Sequence, residues 1–453
     1  MYPNLRSHQR KPATKKSDLF RPNKKTRLFM MARPTSPKAE NAPISGRIEA
    51  LDILRGFALF GVLLINTLIF SGPFNSVDPL TTSTKWWDNA AELVLLVGGV
   101  SAFYSIFSFM FGLGFAIQLQ RAKGRDPAFT ARFAIRLLVL IAIGTIHDLF
   151  IWNGDILVQY GIAGFLLLIF PWKSARGVAI GAVIFSVGFT AYQMVGAIAN
   201  YGPTEPSTSD DIAQAIDYHS NSYSTFTRDN ISRYFPSQDS AGSLLNYPLD
   251  GPWYLGLFLA GSWVVLSGKL SDWPNQRKLY RRVLMIAGPL AVLTKGLYAY
   301  WIVTGSVTQL DTIAPYLVDL VAGPAQGATY LCLLMLILGN RPVDQPPVIL
   351  RLFAPVGKMA LTNYLGQSVI SVFVLYSFGL NLYGRFGIAA TTLIACLLFG
   401  AQIAASGYWL QRFRMGPAEL FWRGLTTGLT TFITGAGRPT RAPTPQTRPD
   451  PVG

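Results

Sequence analysis

Arg47-Ile-Glu-Ala-Leu-Asp52-Ile-Leu-Arg55-Gly-Phe-Ala-Leu-Phe-Gly-Val-Leu-Leu-Ile-Asn66 carries an acid and a base into an otherwise apolar run that continues to Phe70. About 20 mostly apolar residues suffice for a helix to cross a hydrocarbon layer, and this run has that length. A charge near the middle of such a helix costs about 3 kcal/mol on insertion scales, so an ionisable group there is by default a functional hypothesis with a partner. At about 100° per residue, Asp52 and Arg55 lie ~60° apart and Arg55 and Asn66 only ~20° apart. All three therefore share one stripe, which should face protein or water rather than lipid.

The same pattern repeats along the chain. Half of the 453 residues are apolar, only 14% are charged, and the apolar residues fall in blocks. Ten blocks read as spans: 50–70, 93–119, 133–149, 155–171, 177–199, 252–268, 283–303, 316–338, 359–379 and 388–410. The expected fold class is an all-α polytopic membrane protein, with about ten transmembrane helices in one bundle. With both termini in the cytoplasm, 33 of the 39 Lys and Arg residues fall on inner segments and only four on outer ones. That asymmetry is the positive-inside pattern.

The net charge of +16 is thus mainly a topology signal, and it suits the anionic inner membrane surface better than nucleic acid. The expected organisation is a disordered basic tail (1–46), a five-span half (47–200), an extracytoplasmic insert (201–251), a second five-span half (252–411), an interfacial amphipathic helix (412–434) and a disordered tail (435–453). The two cysteines, Cys332 and Cys396, lie within spans and read as packing residues. With no Cys/His cluster, no metal site is expected.

Of three histidines, only His147 is placed at a membrane boundary, in Gly144-Thr-Ile-His147-Asp-Leu-Phe-Ile-Trp-Asn-Gly-Asp155. A turn at Asn153-Gly154 would fold the next span back and bring Asp155 near His147, while Asp148 points about 100° away on the helix. A carboxylate on one imidazole nitrogen leaves the other as a general base; alternatively, the histidine closes the hairpin structurally. Lys295 and Asp319, on consecutive spans, are placed to pair. Asn363, in Gly357-Lys-Met-Ala-Leu-Thr-Asn363-Tyr-Leu, is placed either to line a site or to bridge helices. In the second span, Ser101, Ser105, Ser108 and Gly112 form a small-residue face for close packing. Phe103, Phe107, Phe111 and Phe115 form another face, read as core.

Four stretches together resemble the bacterial YeiB-like family, defined by a C-terminal domain of unknown function numbered 418. They are Leu51 through Asn66, His147 through Leu157, Gly357 through Leu365, and Gly416-Pro-Ala-Glu-Leu-Phe-Trp-Arg423. The resemblance implies a bacterial inner-membrane protein. The Leu-Asp-x-x-Arg-Gly pattern is also similar to that of transmembrane acyltransferases, the group containing heparan-α-glucosaminide N-acetyltransferase and the acyltransferase-3 proteins. That similarity implies a fold with no bound cofactor that takes an acyl group from cytoplasmic acyl-CoA as co-substrate. The acceptor would be a sugar, lipid or small molecule on the far side. On this view Asp52 and Arg55 organise the donor end, Asn66 and Asn363 line the path, and His147 with Asp155 activates the acceptor. In the acetyltransferase the histidine follows the first span, whereas Ser71 to Trp87 here contains none, so His147 would have to replace it. The alternative is a membrane transporter or flippase using the same polar residues as a midplane site.

Overall fold

The described parts of the apolar blocks are largely helical in the computed structural model, which describes residues 49–71, 85–122, 128–170, 172, 174–199, 222–234, 251–304, 321–340 and 346–434. The helices are α1 (Glu49–Ser71), α2 (Trp86–Gly99), α3 (Ala102–Ala122), α4 (Phe129–Phe150), α5 (Leu157–Ile169), α6 (Ala175–Ala199), α7 (Tyr223–Tyr234), α8 (Gly251–Leu266), α9 (Arg277–Thr304), α10 (Gly323–Leu338), α11 (Val348–Arg351), α12 (Phe353–Lys358), α13 (Ala360–Leu375), α14 (Ile388–Leu410) and α15 (Pro417–Thr434). Among the described residues no strand occurs. The expectations for 1–46, for 435–453 and for most of the 201–251 insert fall outside those residues.

Among the described residues, six helical stretches are long and apolar enough to cross a membrane: α1, the α2–α3 run, α4, α6, α9 and α14. The remaining apolar helices α5, α8, α10 and α13 are shorter. The 13 residues of α5 reach about 20 Å at 1.5 Å per residue, less than the ~30 Å of a bilayer core. The chain is therefore a multi-pass, all-helical membrane protein. Its first helix is the centre of the packing: 72% of its apolar window is buried, against 17% for α6 and α9. Helices α2, α3, α12, α13 and α14 all pack on α1. By contrast, α6 exposes Val183, Ile184 and Val187, and α9 exposes Met285, Val292 and Leu293. Those faces match hydrocarbon.

One expected span is two helices. The block 93–119 breaks at Val100-Ser101, where Ser101 takes a φ of 59°. A non-glycine residue in the left-handed region is uncommon and costs of order 1–2 kcal/mol. The break frees backbone carbonyls at membrane depth, and side chains satisfy them. Lys295 Nζ donates to Val100 O at 2.9 Å and lies 3.5 Å from Leu96 O, Gln326 Nε2 donates to Val97 O at 2.9 Å, and the Tyr330 hydroxyl donates to Gly98 O at 2.7 Å. Irregular backbone within a bilayer requires such internal partners. Lys295 thus serves the end of α2; Asp319, its expected partner, lies outside the described residues.

Close crossings elsewhere depend on small residues. A Cβ on Gly112 would strike the Phe258 backbone, one on Gly261 would strike Phe109 O, and Ser262 Oγ donates to Gly112 O at 2.8 Å. Of the small-residue face of α3, Gly112 seats α8, Ser101 and Ser105 lie against Gly323 and Gly327 of α10, and Ser108 meets the Tyr160 hydroxyl of α5. Likewise Gly357 in α12 lies against the Asp52 carbonyl, and Gly56 in α1 against the Phe353 carbonyl. That contact fixes the first helix against α12 at the level of its charges. Cys332 is buried, whereas Cys396 is on the exposed face of α14 rather than in packing.

Candidate functional site

The turn after α4 reverses the chain through Asn153-Gly154 and returns it as α5. Asp155 then caps α5: its Oδ2 accepts from Leu157 N at 2.8 Å and from Val158 N at 3.3 Å. A carboxylate is suited to this position because the first-turn amide groups have no partner within the helix. Gly144 makes room, since a Cβ there would come within 2.7 Å of Asp155 Oδ2. The other oxygen, Oδ1, lies 3.0 Å from His147 Nδ1, with both side chains fully enclosed. The oxygen sits off the axis of a ring N–H, so the contact is one of proximity and neither imidazole nitrogen makes a directed hydrogen bond. Asp148 points elsewhere and accepts from Asp155 N at 3.4 Å.

A third residue completes the cluster. The Tyr364 hydroxyl donates to Asp155 Oδ1 at 3.1 Å, and its ring lies 5.6 Å from the His147 ring. Above this hairpin, α7 is held by Tyr223 OH donating to Phe150 O at 2.9 Å and by Asn230 Nδ2 donating to Leu149 O at 3.3 Å. Its Phe226 joins Phe70, Trp152 and Tyr376 in an aromatic cluster that seals this end.

On α1 the charged stripe is occupied as its spacing implies. Asp52 is buried, and its Oδ1 holds Arg55 Nη1 at 3.2 Å one helical turn away. Arg55, Leu59 and Val62 face a cavity, and the next position on the stripe, Asn66, accepts from Tyr104 OH at 2.7 Å. Opposite, α15 lies along α4. Trp422 Nε1 donates to Arg136 O at 2.9 Å, and the Arg136 guanidinium stacks over the Trp422 ring at 3.9 Å. Glu419 caps α13, accepting from Leu361 N at 2.7 Å, Thr362 N at 3.2 Å and Thr362 Oγ1 at 2.6 Å.

These elements enclose one cavity of about 290 Å³. That is close to the lower end of the ~300–1,000 Å³ typical of small-molecule sites. Arg55, Arg136 and Lys358 contribute its basic side chains, Tyr104, Tyr160 and Tyr364 its phenols, and Phe107, Phe111 and Phe115 an aromatic wall. Three rings of the α3 phenylalanine series therefore line a cavity as well as packing, which their spacing alone does not reveal. Only Phe103 is purely packed, against Phe57 and Tyr330.

Of the residues singled out in the sequence, Arg55 lines the cavity directly. Asp52 holds Arg55 from behind, Asn66 holds Tyr104, and Asp155 with His147 holds Tyr364. Asn363 lies apart from the cavity: its Nδ2 donates to Val356 O, Met359 O and Ser406 Oγ at 3.0–3.2 Å, bridging the α12–α13 break to α14. The sequence reading missed Tyr364, Arg136, Lys358, Glu419 and Trp422. Lys358, Tyr364, Glu419 and Trp422 sit inside stretches already marked by resemblance, which was the available signal. Among the described residues, no three His, Cys, Asp or Glu side chains converge as metal ligands.

The four marked stretches, far apart in the chain, thus meet around one cavity. Residues 265–429 match the family described as "Protein of unknown function (DUF418)". The "Uncharacterized protein YxaH" of Bacillus subtilis (strain 168) is 31% identical over 393 residues, covering 84% of this chain and 94% of that protein. The "Uncharacterized protein YeiB" of Escherichia coli (strain K12) is 28% identical over 404 residues, covering 84% and 96%. An "Uncharacterized 39.9 kDa protein in amylase 3'region" of Bacillus acidopullulyticus is 27% identical over 391 residues, covering 84% and 94%. With likeness running along nearly the whole of each relative, the chain belongs to the YeiB-like DUF418 family.

Proposed function

We propose that this protein is an acyltransferase of the bacterial inner membrane, with both termini in the cytoplasm, using acyl-CoA as co-substrate. It passes the acyl group to a hydroxyl or amine of a sugar, lipid or small-molecule acceptor at or beyond the membrane. One observation carries the reading: a single cavity joins the basic side chains Arg55, Arg136 and Lys358 to Tyr364, which is backed by Asp155 and His147. Arg136 and His147 are eleven residues apart on α4, about 16 Å along the axis. The donor's anionic portion and the reacting carbonyl therefore have separate places.

In this reading the acceptor oxygen or nitrogen attacks the thioester carbonyl, a new C–O or C–N bond forms and the C–S bond breaks. The acceptor proton passes to the Tyr364 oxygen as the Tyr364 proton moves to Asp155 Oδ1, which lies 3.0 Å from His147 Nδ1. The leaving thiolate takes up the proton that the relay received from the acceptor. Positioned acid–base groups of this kind contribute typically 10²–10⁴-fold. The aromatic wall excludes water from the thioester.

The test uses purified protein in lipid nanodiscs with radiolabelled acetyl-CoA and a membrane or periplasmic extract. Thioester consumption that requires both the protein and the extract, with label recovered in the acceptor fraction, is the expected result. Label or lipid crossing the membrane of a reconstituted vesicle, with no C–S cleavage, would replace this reading with a transporter or flippase.

A further inference from the structure

We propose that Arg136, Lys358 and Arg55 form a phosphate-binding site at the basic end of the cavity. Resting on the acyl-transfer reading, it takes the phosphate that ends the donor's pantetheine arm. Of the three, Arg55 alone is matched by an acid, Asp52. Arg136 feels the positive charges of both Arg55 and Arg423, and neither Arg136 nor Lys358 has an ion-pair partner among the described residues. The two nearby carboxylates are occupied, Asp52 by Arg55 and Glu419 by the α13 amides and Thr362. Like charges brought together in a half-buried wall are costly unless an anion is bound between them.

The presentation of Arg136 favours a phosphate oxygen pair. The centre of its guanidinium lies over the Trp422 ring at 3.9 Å, and that indole is tied to the Arg136 carbonyl, so the group is held in place where it lines the cavity. A fixed planar fork binds phosphate through two parallel N–H bonds, whereas an ammonium acts as a point charge. Lys358 supplies that second kind of contact from α12, directly after Gly357, whose contact with the Asp52 carbonyl fixes its backbone. From this end the aromatic wall leads toward Tyr364, the direction an acyl-bearing arm would take. A phospholipid headgroup offers the same chemistry from another source.

Pantetheine and 4′-phosphopantetheine, titrated against the protein in phosphatidylcholine nanodiscs, separate these cases. The phosphorylated arm should bind roughly tenfold or more tightly, as expected for charge-assisted bonds. That preference should fall to near unity in Arg136→Gln and in Lys358→Gln. The second variant removes a side chain with no hydrogen-bond or ion-pair partner among the described residues, so it tests the site even where the first misfolds. If the preference is absent but phosphatidate in the nanodisc raises the melting temperature, and Lys358→Gln removes that rise, the phosphate site stands with a lipid as its source. Equal binding of both arms with no phosphatidate effect overturns it. Phosphate-dependent binding without thioester cleavage keeps the site and removes the acyl-transfer reading.

Discussion

Replacing Tyr364 by Phe separates what this residue does for the fold from what it does for chemistry. The ring is retained, so no cavity opens, and the change removes one hydroxyl. That hydroxyl donates to Asp155 Oδ1 at 3.1 Å and receives a long 3.4 Å contact from Ile156 N. A hydrogen bond to a charged group contributes about 1.5–3 kcal/mol. The low end applies here, because Asp155 keeps two backbone amides on Oδ2 and His147 beside Oδ1. Loss of a proton relay lowers kcat by about 10²–10⁴, equivalent to ~3–5 kcal/mol of activation free energy. The variant should therefore melt slightly lower than the parent and turn over at least a hundredfold more slowly, with KM for the thioester little changed. Thermal unfolding in nanodiscs and initial-rate kinetics read the two effects independently. A stable Tyr364→Phe protein with kcat within about threefold of the parent would refute the relay.

Other expectations follow from the same geometry. His147→Gln keeps a hydrogen-bonding side chain that takes up no proton, so turnover should fall while the melting temperature holds; full turnover would leave His147 as a hairpin closure. Arg55→Lys should raise the thioester KM more than it lowers stability, because an ammonium does not reproduce the guanidinium held by Asp52, and an unchanged KM would take Arg55 out of the site. Gly357→Ala would drive a Cβ into the Asp52 carbonyl and within 2.6 Å of Gly56 N, so a loss of about 1–3 kcal/mol is expected in unfolding measurements, and a neutral result would mean that α1 and α12 separate freely. Alkaline phosphatase fused just before Tyr223 should be active and fused after Arg414 inactive; the reverse would invert the sidedness on which the two-ended reaction depends.

The helices were legible because apolar blocks are direct records of a bilayer. The break at Val100-Ser101 was not, although Gly98-Gly99 stands just before it, because no hydropathy pattern reports which side chains will meet freed carbonyls. Asp52, Arg55, His147 and Asp155 stood out since each is costly in an apolar setting. Tyr364 and Trp422 did not, being ordinary residues of membrane helices, and Arg136 and Lys358 were counted as topology charges. Asn363 stood out equally and bridges helices, because a polar side chain at membrane depth reports a partner without saying whether it is a neighbour or a ligand. The phenylalanines of α3 make the same point for apolar residues: spacing assigns a common face and leaves open what that face meets.

The arrangement of Asp52 and Arg55 also bears on the order in which the protein is made. The cavity takes its walls from both α1 and α15, so Arg55 leaves the ribosome several hundred residues before Trp422 and Glu419. At about 5–20 residues per second, roughly 20–70 s of synthesis separate them. Throughout that interval the first helix has to reside in or beside lipid without the basic end of the cavity around it. Its acid and base lie one turn apart on the same helix, so the compensating charge arrives within the same fraction of a second and needs no later segment. The pair is thereby a device for biogenesis: it lets a charged helix enter the membrane first and wait for its site to assemble.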